Sequence, residues 1–331
     1  MRGAGGFMRI LSGVQPSGNL HIGNYFGAIR QFVAMQEDLA NECYYFVADL
    51  HAMTTIRDGA QLRANANQVA MDFLALGLDP RRSVLYRQSD IPEVTELAWM
   101  LSTVTPMGLL QRGHSYKDKT ARGITPNHGL FAYPVLMAAD ILIVRSDRVP
   151  VGKDQKQHLE MTRDIAGAFN QAYGADLLRV PEEMILAEVA VVPGIDGQKM
   201  SKSYGNTLEI FAPEPELKKR VMSIVTDSTP LDQPKPTRGN TLYALLKVFT
   251  PVAQWPETKK LFTEGGHGYG EMKKRLLGLI LDTFGAARRR RQELEADPGY
   301  VEQVLRDGRE RAMAVISRVM ADCRRACGVG A

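Results

Sequence analysis

Apolar and polar positions alternate between two periods along the first two hundred residues. Met8 to Leu11 is a short apolar run that reads as a buried strand, and Gly13, Pro16, Ser17 and Gly18 break it into a loop. From about Leu20 the spacing turns helical, through Ile22, Phe26 and Ile29/Arg30. Cys43 to Ala48 is a second buried-strand signal, ending at Asp49-Leu50-His51. A helix follows through Leu62, Val69, Phe73 and Leu76, stopped by Gly77 and Asp79-Pro80, and Ser83 to Arg87 is a third strand. Tyr133 to Val144 predicts a strongly apolar helix with Pro134 in its first turn. Another helix runs from Asp154 to about Phe169, and Leu186 to Val192 is a further strand. Strands alternating with helices predict a doubly wound parallel α/β sheet of the Rossmann-like kind, with ligands at the carboxyl ends of the strands. Beyond Leu208 the strand signals stop and amphipathic helices take over, the last carrying Val301, Val304/Leu305, Ala312, Val315/Ile316, Val319 and Cys323 on one stripe. A boundary is expected near residues 204–208, with a catalytic unit at 1–206 and an α-helical unit at 207–331.

Composition narrows the class. At 331 residues the chain is long enough for two domains, and no apolar run approaches the roughly 20 residues that span a bilayer. Met1 to Gly6 lacks the apolar core of a secretory signal, and Met8 is an alternative start. Three cysteines, Cys43, Cys323 and Cys327, make no disulfide framework, which predicts a reducing, cytoplasmic setting. The formal net charge of +4 is unevenly placed. Residues 271–331 hold 13 Lys and Arg against 9 Asp and Glu, leaving 28 of each before them. Within that stretch Arg288-Arg289-Arg290-Arg291 reads either as a solvated helix face or as a contact for RNA phosphates.

Two motifs carry chemistry. Strand, glycine-rich loop and helix start at residues 11–27 present backbone N–H groups and a helix dipole to phosphate, with His21 and Asn24 three apart on the first turn and aimed at one anion. Gly23 between them leaves room for a flat ring on the backbone. The second is the loop Gly197-Gln198-Lys199-Met200-Ser201-Lys202-Ser203, with two lysines and two hydroxyls. A fixed five-residue string arises by chance in about one such chain in ten thousand.

His21-Ile22-Gly23-Asn24 resembles the "HIGH" signature of the class I aminoacyl-tRNA synthetases, and Lys199 to Ser203 is that family's "KMSKS" loop. The residues between resemble its tryptophan-specific members. The resemblance runs from Ser12 to Ser228 and fades toward the C-terminus. It implies activation of L-tryptophan by ATP, release of pyrophosphate, and transfer of the acyl group to tRNA(Trp) by a homodimer. His21, Asn24, Lys199 and Lys202 would stabilise the transferring phosphate, with Lys119, beside Lys117, as a third family lysine. Gln15, Gly23, Gly152, Asp154, Met200 and Ser201 complete the implied ATP site, Asp154 on a ribose hydroxyl. Mg²⁺ is expected on the polyphosphate and not in a protein cage.

For the amino acid, Tyr133, Met137 and Asp140 share one helix face at i, i+4 and i+7. A carboxylate among apolar neighbours must find a donor, and an indole N–H only donates. By resemblance Asp140 and Met137 read the indole, Tyr133 and Gln155 meet the ammonium group, and Leu11 and His51 line the site. Leu11 and Lys153 stand where many family members carry Phe and Glu. The tyrosine-specific branch shares the architecture and a Gly-x-Asp-Gln turn, but Met137-Ala138-Ala139 before Asp140 favours an indole slot. A non-catalytic RNA-binding paralogue is the other reading, opposed by the intact His21, Asp140, Lys199 and Lys202.

Overall fold

A computed structural model describes residues 7–113, 127–152, 156–185 and 192–330. Five strands form one all-parallel sheet: β1 (Met8–Val14), β2 (Asn41–Val47), β3 (Val84–Arg87), β4 (Arg148–Val151) and β5 (Glu182–Ile185), in the order β3-β2-β1-β4-β5. The order reverses at β1, so the gap beyond the carboxyl ends of β1 and β4 is the topological switch point. In register, Met8 lies opposite Asn41 and Val14 opposite Val47.

The period-2 alternation divides the core in two. Ile10, Cys43, Tyr45 and Val47 enter one apolar cluster, and Leu11, Tyr44 and Phe46 enter the other, on the opposite face. After β1 comes a short helix α1 (Ile22–Asn24), a π-helical turn (Tyr25–Ile29) and α2 (Arg30–Glu37). The chain continues through α3 (Asp49–Ala52), α4 (Gly59–Ala75), α5 (Glu93–Ser102) and α6 (Met107–Gln111). Then follow α7 (His128–Ile143), α8 (Lys156–Tyr173), α9 (Glu214–Met222), α10 (Thr241–Phe249), α11 (Trp255–Thr263), α12 (Tyr269–Ala296) and α13 (Pro298–Cys327).

The parallel α/β layering and the helical C-terminal region agree with the sequence pattern, but several element ends move. The apolar helix begins at His128 and not at Tyr133: the Asn127 side chain accepts from the Leu130 N–H, so this is its cap, and Pro134 lies inside the helix. Pro134 therefore stands beyond the first turn, where it has no N–H to give to the Leu130 carbonyl. The helix expected from Leu20 starts at Ile22, after a bridge pairs His21 with Glu209. Leu186 to Val191, most of the expected fourth strand, lies outside the described residues.

The C-terminal helices pack on the sheet. Phe284 and Leu276 of α12 join the cluster containing Ile10 and Tyr45, so that apolar core runs without a break across residues 206 and 207. The final helix, α13, covers the exposed edge of β3. Its first turns (Val301, Val304, Leu305) enter one core, its later ones (Ala312, Ile316, Val319, Cys323) the other. Between them Gly308 crosses the strand so closely that a Cβ would stand 1.8 Å from the Leu85 carbonyl oxygen. Arg311 donates to the carbonyls of Pro80 (2.7 Å) and Ser83 (3.0 Å), and Arg309 to that of Asp90 (2.8 Å).

Candidate active site

The loop after β1 and the start of α1 build the first half of the site. His21 is the N-cap: its Nδ1 accepts from the Asn24 N–H (3.3 Å), while the Asn24 Oδ1 accepts from the His21 N–H (3.0 Å), a reciprocal capping box. Both side chains thus use one polar atom on the helix start, and each keeps another for the anion that the spacing suggested. The box has a chemical consequence. With Nδ1 accepting, the imidazole proton sits on Nε2; with Oδ1 accepting, the amide of Asn24 presents Nδ2. Burial, aided by the Lys202 charge, lowers the His21 pKa to about 4. At neutral pH His21 is therefore a neutral Nε2–H donor. Gly23 suits the same cap, since a Cβ there would stand 3.0 Å from the His21 Nδ1 and press on the ring.

The lysine loop is brought alongside by pairing. Ile22 N–H donates to the Leu208 carbonyl (2.9 Å) and Ile210 N–H to that of Leu20 (3.1 Å), which lays residues 208–210 against the helix start. Asn206, the last residue of the loop expected at 194–206 and given no role there, organises it. Its Oδ1 accepts from the Ser201 N–H (2.8 Å), and its Nδ2 donates to Asp196 (2.8 Å) and to the Lys199 carbonyl (3.2 Å). Met200 is buried, Ser201 is half-buried and Lys199 is exposed. Lys202 is half-buried, and its Nζ donates to the Ser17 hydroxyl (3.3 Å), bridging the two motifs; desolvation lowers its pKa.

At the switch point a cavity of about 220 Å³ is lined by Leu11, Gln15, His51, Tyr133, Met137 and Asp140, together with Phe46 and Pro150. Sequence-selected residues from three separate elements thus share one chamber. Asp140 lies at 2% exposure. Its Oδ2 accepts from His51 Nε2 (3.0 Å), and both its oxygens accept from Gln88 Nε2 (2.9 and 2.8 Å). Burial raises its pKa and His51 opposes the rise. The Tyr133 hydroxyl is hydrogen-bonded to Nε2 of the buried His158. Gln88 and His158 escaped the sequence reading because neither lies in a motif; Gln88 follows β3 directly, and the carboxyl end of a strand was the available signal.

Gly152 follows β4 and is exposed. Lys117, Lys119, Lys153, Asp154 and Gln155 lie outside the described residues. Among the described residues, no three His, Cys, Asp or Glu side chains come together as a metal cage.

The arginine run is mostly committed to the fold. Arg291 donates to the buried Asp72 (2.6 Å) and to Glu295 (2.6 Å), Arg288 to the carbonyls of Ile210 (2.5 Å) and Ala212 (2.7 Å), and Arg290 to Glu293 (2.8 Å). Only Arg289 of the four has no hydrogen bond or ion pair among the described residues. The run was open to two readings, a solvated helix face or a contact for RNA phosphates, and three of its four arginines hold protein oxygens: a helix packed on a sheet uses guanidinium groups to satisfy carboxylate and carbonyl oxygens.

A family model for class I tRNA synthetases (W and Y) matches residues 4–272. The tryptophan–tRNA ligase of Fusobacterium nucleatum is 54% identical over 307 residues, covering 93% of this chain and 94% of that protein. That of Rhodopirellula baltica is 50% identical over 322 residues, covering 97% and 100%. A crystal structure of the tryptophanyl-tRNA synthetase from Campylobacter jejuni, complexed with ADP and tryptophan, matches with a TM-score of 0.92 at 47% identity, covering 97% of this chain and 100% of that one. Both motifs, the sheet order and these matches along nearly the whole length agree, and the chain belongs to the class I tRNA synthetases of the tryptophan and tyrosine (W and Y) family.

Proposed function

We infer that the chain is a tryptophan–tRNA ligase. It activates L-tryptophan with ATP and transfers the tryptophanyl group to tRNA(Trp). A tryptophan carboxylate oxygen attacks the α-phosphorus of ATP, the bond to the bridging oxygen of pyrophosphate breaks, and tryptophanyl-adenylate forms. A terminal hydroxyl of the tRNA then attacks the acyl carbon and AMP leaves. The adenylation step asks for positioning and charge compensation more than for proton transfer.

The observation that carries the reading is the chamber holding Leu11, Gln15, His51, Tyr133, Met137 and Asp140. In it a buried carboxylate faces an apolar slot, which suits a large ring with one N–H donor. Met137 would lay a polarisable sulfur on that ring. Tyr133 and Gln155 would take the ammonium group, and Asp154 and the Gly152 turn the ribose. The neutral Nε2–H of His21 and the Asn24 amide would donate to phosphate oxygens from one side, Lys199 and Lys202 from the other, with Lys119 as a further cation. Gly23, Met200 and Ser201 would border the adenine. Mg²⁺ would travel on the polyphosphate through its oxygens and water.

Residues 1–206 would perform adenylation and residues 207–331 would meet the anticodon arm. Trp99 and Met107, exposed on α5 and α6, fit a homodimer contact. Free cysteines and the lack, among the described residues, of any helix able to cross a membrane fit a cytoplasmic enzyme. The test is ATP–pyrophosphate exchange across all twenty amino acids. Exchange with tryptophan alone is expected; exchange with tyrosine would move the chain to the sibling specificity, and none with any amino acid would refute catalysis.

A further inference from the structure

Gln88 is fully buried, directly after β3, and has no assigned role. Its orientation can be deduced. Backbone N–H groups only donate, and those of Leu50 (3.1 Å) and His51 (3.3 Å) point at one end of its amide, which must be Oε1. The other end is then Nε2, the donor to both oxygens of Asp140 at 2.9 and 2.8 Å. One amide thus fixes the start of α3, which carries His51, and the carboxylate that His51 also contacts.

A carboxyl group in this chamber has two competing states. Protonated, it both donates and accepts, and it can also meet a ring atom that only accepts; ionised, it only accepts and calls for a donor on the ring. The groups facing it are the Asp49 carboxylate and the His51 ring on α3, the Tyr86 hydroxyl on β3 and Gln88 itself. Asp49 and burial favour the protonated state, while His51 and Gln88 favour the ionised one.

We propose that Gln88 is a positioning residue that keeps Asp140 an acceptor-only group at the floor of the chamber, and so sets the preference for a ring that presents a hydrogen-bond donor over one that does not. The inference rests on the tryptophan reading of that chamber. Each Asp140 oxygen has two acceptor sites. Gln88 and His51 together take two on Oδ2 and Gln88 one on Oδ1, so one acceptor site on Oδ1 remains for the substrate.

The test compares the parent with Gln88→Met, which keeps the length and removes the donor, and Gln88→Glu, which keeps the shape and replaces the donor by a second carboxyl. Three readouts are taken: KM for tryptophan against kcat, the pH profile of kcat/KM, and the loss on replacing tryptophan by its benzothiophene analogue, in which sulfur stands for the indole N–H. In both variants KM for tryptophan should rise roughly ten-fold or more with kcat changed much less, since a hydrogen bond to a charged group is lost. The acid limb of the profile should move to higher pH, and the penalty for the sulfur analogue should shrink. Parent-like values of all three, even with a lowered Tm, would make Gln88 a packing residue and overturn the proposal. Should the Met variant not fold, the isosteric Glu variant decides alone. A parent with no tryptophan-dependent exchange refutes the functional reading, whereas a parent with exchange and unaltered variants refutes only this inference.

Discussion

Asp140 is held by three N–H contacts from two side chains, and truncating it does more than remove a substrate contact. Asp140→Ala should lower kcat/KM for tryptophan roughly 10- to 150-fold, the worth of a charge-assisted hydrogen bond. It should also lower Tm, because His51 and Gln88 are left buried without their acceptor. Steady-state kinetics and thermal melting check the two effects separately. A second pair of residues sets opposite pH dependences. Free His takes up a proton near pH 6.5, but His21 does so only near 4, so its stabilisation is complete above about 6.5 and is lost as pH falls toward 4. Asp72 is pushed up to about 6, because burial outweighs Arg291, so the folded state takes up this proton before the unfolded one does near 3.8. That group adds stability over the same interval, and the melting curve of the parent mixes both. His21→Gln removes one of them: the Tm difference between variant and parent should shift in favour of the variant as pH is lowered from 7 to 5. A difference that stays constant would place no titration at His21. Residue types at these positions were readable from the sequence, yet their partners were not. Gln88 and His158 reach the site from distant parts of the chain, and no local pattern marks a side chain whose role depends on what folds against it.

Elements with strong periodicity were the readable ones. β1 and β2 announced themselves by apolar runs because a parallel strand is buried on both faces. The apolar helix α7 did so too, although its start was misplaced by following Pro134 in preference to the Asn127 cap. The lysine loop has no periodicity, and its order comes from Asn206 and from the Lys202 contact with Ser17. Lys199→Ala and Lys202→Ala should depress kcat more than they raise KM for tryptophan, since charge compensation is needed in the transition state. A pure KM effect in kinetics with saturating ATP would refute that role. ATP and tryptophan together should also protect residues 199–203 from limited proteolysis. Gly308→Ala tests the crossing of α13 over β3. Alanine favours a helix by up to about 1 kcal/mol, but here its Cβ meets the Leu85 backbone at 1.8 Å. Overpacking of about 1–3 kcal/mol or more should win, and denaturant melts should show a net loss.

At the scale of the molecule, charge is the feature that the sequence described least well. The excess of basic residues at 271–331 left an RNA contact open, yet Arg291, Arg309, Arg311 and Arg324 bind carboxylates or carbonyls between Asp72 and Glu96, and Arg288 binds the carbonyls of Ile210 and Ala212. Composition counts charges and cannot say which are already neutralised. Arg291→Ala should destabilise the protein by about 3–5 kcal/mol in chemical denaturation, because the buried Asp72 loses its counter-charge. Arg289→Ala should leave stability unchanged but weaken tRNA binding and reduce its salt dependence, by up to about 0.9 in the log–log slope for one phosphate contact. Unaltered tRNA affinity and slope would remove Arg289 from the RNA surface.

The placement of α13 against β3 has a consequence for how the chain is made. Translation delivers residues at about 5–20 per second, N-terminal first, so the sheet is complete well before its last cover is synthesised. During that interval the outer edge of β3 offers unpaired backbone groups to any neighbouring nascent chain, a template for intermolecular strand pairing. Ribosomes stalled before Pro298 would hold a sheet with an open flank, and release of those chains should yield aggregates; chains extended through Cys327 should not aggregate. A pelleting assay on polypeptides ending at 297 and at 330, translated with and without a chaperone, would measure how much of the protein's burden on quality control resides in that one late-arriving helix.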